Sequence, residues 1–129
     1  MVSDDDIMKG RLRRTLIEQA QSGRTATYRE LAQRLELVPP HTIHRVTVAL
    51  QALMEDDVAA GRPILSSICV SKARAGIPAP GFFLAAQCLG IFFGDPSGPQ
   101  AHAFHAHELQ RALSFYGDLY QDSQRGKRP

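Results

Sequence analysis

The stretch TATYRELAQRLELVPPHTIHRVTVALQAL, residues 25–53, decides how this chain folds. Thr27 is followed three places later by Glu30, the spacing of a capping box. In that motif the threonine hydroxyl accepts from the third helical amide while the glutamate reaches back to the threonine amide. Leu31, Ala32 and Leu35 then begin an apolar face, so a short helix opens here and runs to about Leu37. Pro39-Pro40 breaks it, because proline lacks the amide and its ring clashes with the preceding turn. A longer helix follows from about Thr42 to Ala60, with Ile43, Val46, Leu50, Leu53 (or Met54) and Val58 turned inward and Gly61 as its stop.

Working outward, residues 4–22 read as a first helix. Ser3 and the aspartates supply an N-cap and an acidic first turn, and Ile7, Leu12, Leu16, Ile17 and Ala20 make its stripe. Downstream, ILSSICV (64–70) is β-branched and apolar and reads as a strand. SKARAGIPAPG (71–81) carries two Gly, two Pro and two cations, which makes it a loop or wing turning at Gly76. Phe82 to about Leu89 reads as a buried helix, 94–99 as a loop, and 100–120 as a last helix with Ala103, Phe104, Leu109, Leu113, Tyr116 and Tyr120 as apolar positions. Residues 121–129 read as a disordered basic tail. The fold expected is a mostly helical α+β single domain over 1–120. Its order, with a strand and basic loop after the helix pair, is that of a winged helix-turn-helix.

Composition sets bounds. The chain has 129 residues, 43% hydrophobic and 22% charged, which suits one globular domain. No apolar run approaches the roughly 20 residues needed to span a bilayer. The N-terminus MVSDDDIMKG has no apolar h-region, so a cytoplasmic protein is expected. Two cysteines, Cys69 and Cys88, do not make a disulfide framework and read as buried thiols. Net charge is only +2 but uneven: residues 9–74 carry eleven Lys or Arg against six acids. Such a segment permits an anionic partner without demanding one.

Residues 24–92 resemble the C-terminal, DNA-binding domain of the O6-alkylguanine-DNA alkyltransferases and their alkyltransferase-like relatives. TATYRELAQRL (25–35) resembles their S/T-Y-x-x-L-A segment, and HRVTVAL (44–50) their R-A-V-G-x-A recognition-helix segment. RPILSSICV (62–70) is similar to the strand that leads to their P-C-H-R-V active site, and AGIPAPGFF (75–83) to the glycine-rich turn beyond it. The YxELA…GxPxxGF pattern is also similar to uncharacterised bacterial proteins, a likeness that implies no activity. The alkyltransferase resemblance implies that Tyr28 packs by a target-base phosphate and that Arg45 inserts into the duplex in place of an extruded base, which suits a planar guanidinium. It implies no alkyl transfer. With Pro63-Ile-Leu65 aligned, Ile68 fills the cysteine slot, Cys69 the histidine slot and Val70 the arginine slot. Cys69 then lies in an apolar strand with no cation beside it, where a thiol stays un-ionised.

Other constellations are thin. His102, His105 and Glu108 share a helical face and are the only cluster that could hold a metal, but no H-E-x-x-H is present. Glu55-Asp56-Asp57 reads as a solvated helix end. There is no G-x-S-x-G, P-loop or G-x-G-x-x-G, so no catalytic residue and no cofactor is expected. The four Phe between 82 and 93 read as core. The expected function is non-catalytic binding of duplex DNA through Thr27, Tyr28, His41, Thr42, His44, Arg45, Lys72 and Arg74, with Arg29 and Arg34 on phosphates. The start of the short helix, with its amides and positive dipole, adds a place for a phosphate. The alternative is a protein-interaction module, an accessory or immunity-type subunit on the same scaffold with an exposed Phe82–Phe93 surface. A homodimer would let such a protein read two half-sites, and residues 100–120 offer an interface, though without heptads.

Overall fold

The structure is a computed structural model that describes residues 3–125, with side chains described through residue 117. It is mostly helical with one small sheet: α1 (Asp4–Gln21), β1 (Ala26–Thr27), α2 (Tyr28–Arg34), α3 (Thr42–Ala60), β2 (Cys69–Val70), α4 (Pro80–Cys88) and α5 (Pro99–Arg125). The sheet is parallel, with Ala26 opposite Cys69 and Thr27 opposite Val70. Among the described residues no helix is long and apolar enough to cross a membrane.

The local signals act as their chemistry requires. Ser3 Oγ accepts from the Asp6 amide at 3.1 Å and starts α1. Both halves of the capping box form at α2: the Glu30 amide donates to Thr27 Oγ1 at 3.1 Å, and the Thr27 amide to Glu30 Oε1 at 2.9 Å. This helix stops earlier than expected, at Arg34. Glu36 turns left-handed (φ 55°), and the Leu37 amide folds back to the Ala32 carbonyl at 3.1 Å. Helix α3 has the expected bounds, closed by left-handed Gly61 at φ 71°.

One core joins α1, α2, α3 and α5 through Leu12, Leu16, Leu31, Leu35, Val46, Leu50, Leu53, Ile68 and Tyr116. A second, more aromatic cluster holds α4 with Met54, Ile64, Ile77, Phe82, Phe83, Phe92 and Ala101. Of the four phenylalanines read as core, Phe93 is the exception, 78% exposed.

Several expectations fail for identifiable reasons. The strand over 64–70 shrinks to Cys69–Val70, and Leu65–Ile68 forms a 3-10 turn. The serines cause this: Ser67 Oγ and amide both donate to the Ile64 carbonyl, and Ser66 Oγ donates to the Leu50 carbonyl at 2.7 Å. The backbone is satisfied locally and needs no ladder. Ile7 and Ile43 lie at the rims of their helices and are exposed, as is Ala103. On α5 the buried face is Ala101, His105, Glu108, Ala112 and Tyr116, whereas Tyr120 lies outside the described side chains. Residues 121–125 continue α5 rather than fraying, and 126–129 lie outside the described residues. Cys69 is buried as expected, but Cys88, on the last turn of α4, is exposed.

Candidate nucleic-acid interface

Three segments close around one open groove of about 860 Å³. The start of α2 contributes Thr27, Tyr28, Arg29 and Glu30. The first turns of α3 contribute Ile43 and Thr47. The 71–79 loop contributes Ser71, Lys72, Ala73 and Ala79. The capping box orients the first wall, and the helical repeat puts Ile43 and Thr47 one turn apart on the second.

The third wall has no strand to hold it, and two side chains do so instead. Within the loop the Ser71 amide donates to the Ile77 carbonyl at 2.8 Å, and Ala75 and Gly76 turn left-handed at φ 56° and 85°. Arg74 then fastens the loop from behind, donating to the carbonyls of Pro78 and Pro96 at 2.8 Å each and to Ser97 Oγ at 3.1 Å. Its guanidinium also sits 5.9 Å over the Phe83 ring. From the groove side, Tyr28 Oη accepts the Ala79 amide at 3.0 Å. Burial pushes the Tyr28 phenol up to about 12, so it is neutral. Behind Tyr28 and Thr47 lies a cavity of about 10 Å³, lined further by Leu50, Gln51, Met54, Ser66 and Phe82. That is room for one water.

The expected contact residues separate into three groups. Thr27, Tyr28, Arg29 and Lys72 line the groove. His41, His44 and Arg45 are exposed on α3 and its cap, beside half-buried Thr42, but do not line it. At 3.6 residues per turn Arg45 stands about 200° around α3 from Ile43, on the far flank, and His44 lies between. Arg34 and Arg74 are already engaged. Arg34 donates to Glu18 Oε2 at 3.1 Å and Gln19 Oε1 at 2.7 Å, and Arg74 is the loop fastener. The start of α2 is engaged too. Glu30 holds the Thr27 amide, and the hydrogen bonds from Thr27 keep its carboxyl below the usual range. The Glu30 carboxylate therefore already stands at the helix start where a phosphate was expected, and its charge opposes one there.

Charge is redistributed in the same way along the basic segment. Of the eleven Lys and Arg between residues 9 and 74, six bond internally: Lys9, Arg11, Arg13, Arg34, Arg62 and Arg74. Among the described residues Arg14, Arg24, Arg29, Arg45 and Lys72 are left without a side-chain partner. The acidic run that reads as a solvated helix end is split. Asp56 pairs with Lys9 at 2.9 Å, but Asp57 is fully buried. Asp57 Oδ1 accepts from Arg13 at 2.9 Å and Arg62 at 3.1 Å, and Oδ2 from the Leu65 amide at 3.1 Å. Its burial was readable, since Val46, Leu50, Leu53 and Asp57 continue one stripe at steps of four, three and four.

The histidine cluster does not converge. His105 is buried and its Nε2–H donates to the Ser67 carbonyl at 2.9 Å. Burial keeps the ring below its ordinary pKa and therefore neutral. Glu108 is buried and takes both of its bonds from Arg111 at 3.0 Å. His102 and His107 are exposed, and among the described residues no three His, Cys, Asp or Glu side chains come together. Burial also pushes the Cys69 thiol up. No family model, no curated protein and no solved structure matches this chain.

Proposed function

We propose that this is a non-catalytic DNA-binding protein of winged-helix type, with α2 and α3 as the helix-turn-helix pair and the 71–79 loop as the wing. The observation that carries the reading is the groove. Its rims hold Arg29 and Lys72, both exposed and unpaired among the described residues, on opposite walls. In this reading Arg29 and Lys72 take backbone phosphates, which position the duplex, and the outer side of α3 turns His44 and Arg45 toward base edges. Uncapped α3 adds free amides at its start, where no acidic side chain stands. The resemblance to alkyltransferase-like proteins supports the same helix pair, through Tyr28 on the groove and Arg45 on the outer side of α3. Ile68, Cys69 and Val70 in place of the reactive triplet support binding without alkyl transfer.

Binding to a short fluorescent duplex across a salt titration tests this. Affinity should fall steeply with salt, with Arg29→Ala and Lys72→Ala each lowering the log–log slope by about 1. No binding at low salt, or binding indifferent to salt, contradicts the reading.

A second reading has one observation of its own. Leu84 and Phe93 are exposed on and just beyond α4, which suits a protein-interaction module. A stable complex recovered with the wild-type chain and lost with Phe93→Ser would support it, and no recovered partner would count against it.

A further inference from the structure

The exposed apolar side chains are not spread evenly. Among the described residues, three of the seven large exposed ones lie between 38 and 48: Val38 at 72% exposure, Ile43 at 43% and Val48 at 52%. Single exposed apolar residues need no explanation. Here, however, His44 and Val48 share one exposed face of α3, with Ile43 at its groove-side edge and Arg45 at its far edge. Val48 stands one turn beyond His44, and Ile43 opens onto the groove.

The charge around them selects the partner. From Thr42 to Met54 helix α3 carries no acidic residue. Arg45 on the same helix, and Arg29 and Lys72 across the groove, have no carboxylate partner among the described residues. A few methyl groups interrupted by a histidine and an arginine make a poor core for a protein interface, which buries about 800 Å² per partner and depletes charge at its centre. They fit a polyanion that displays isolated methyls among hydrogen-bond acceptors. The major groove of DNA is such a surface: it admits an α-helix, and thymine presents its C5 methyl there beside acceptors that His44 and Arg45 can reach.

We infer that Ile43 and Val48 read thymine methyl groups in the major groove, so that the preferred ligand is thymine-containing duplex. This rests on the duplex-binding reading above. Arg29 and Lys72 hold the backbone, and the two aliphatic side chains supply discrimination without charge.

The test compares an alternating dA·dT duplex with its dA·dU counterpart, which lacks only the methyls. Anisotropy at fixed salt should show weaker binding to the uracil duplex, about fourfold for each contacted methyl. Ile43→Ala and Val48→Ala should shrink that ratio while leaving the salt slope unchanged. Both positions are partly exposed, so the variants should fold, and an unchanged melting curve confirms it. Equal affinity for the two duplexes, with steep salt dependence retained, overturns this inference and leaves duplex binding standing. Absence of salt-sensitive binding to either duplex overturns both.

Discussion

Around Asp57, two arginines and an amide converge on one buried carboxylate at 2.9 to 3.1 Å. Around the groove, Arg29 and Lys72 face open space with no carboxylate partner among the described residues. All four side chains are cations of the same basic segment and add equally to its charge. Their roles differ because of what burial does. A desolvated charge without partners costs far more than a solvated one, so the fold must satisfy Asp57. Nothing in the fold requires partners for Arg29 and Lys72, and among the described residues they stay unpaired. The charge of a segment is therefore a poor guide to the charge it offers, and six of its eleven cations are already spoken for.

The comparison can be broken at its buried end first. Asp57→Ala should destabilise the protein by about 3 kcal/mol, the low end for breaking a buried pair, because Arg13 and Arg62 keep part of their surface in water. Urea unfolding measures it. A loss under about 1 kcal/mol would show that the Asp57 cluster is as dispensable as a surface pair.

Arg74 lies between the two kinds of cation. Arg74→Ala should cost about 1–2 kcal/mol for its bonds to the loop. It should also weaken duplex binding about as much as Lys72→Ala, because the loop that presents Lys72 loses its fastening. Weaker binding with an unchanged melting temperature would instead make Arg74 a direct contact.

Smaller effects sharpen the picture. Thr27→Ala removes the capping box and should cost about 1 kcal/mol by thermal melting. The least effect at neutral pH belongs to His105, whose folded pKa is lowered by burial. Its neutral ring stabilises the fold fully above the ordinary imidazole value of 6.5, and that contribution is lost as pH falls from there through the lowered folded value. Urea midpoints measured against pH should show the decline, and His105→Gln should flatten it.

Much of this architecture was legible in the sequence. Thr27 and Glu30, Ser3 and Gly61 each act through chemistry confined to a few residues, and their helices begin and end close to where that chemistry places them. Several failures came where the deciding partner is remote. Ser66 and Ser67 turn a strand-like run into a 3-10 turn through carbonyls at Leu50 and Ile64, and only the first is distant in sequence. Arg34 and Arg74 look like free cations until Glu18 and Pro96 are brought beside them. Four of the ten residues that line the groove were legible in the same sense. Thr27, Arg29 and Lys72 could be named from motif and charge and Tyr28 from the alkyltransferase resemblance, whereas Ile43 read as core because a stripe's edge cannot be told from its centre without knowing what packs there.

The most direct test of the groove as the DNA-contacting face is amide chemical-shift mapping on adding a short duplex at low salt. Shifts are predicted at Thr27–Glu30, along Thr42–Val48 and through Ser71–Ala79, with Asp57, Arg62 and Leu65 unmoved. Shifts confined to α4 and α5, or no shifts at any residue, would contradict it.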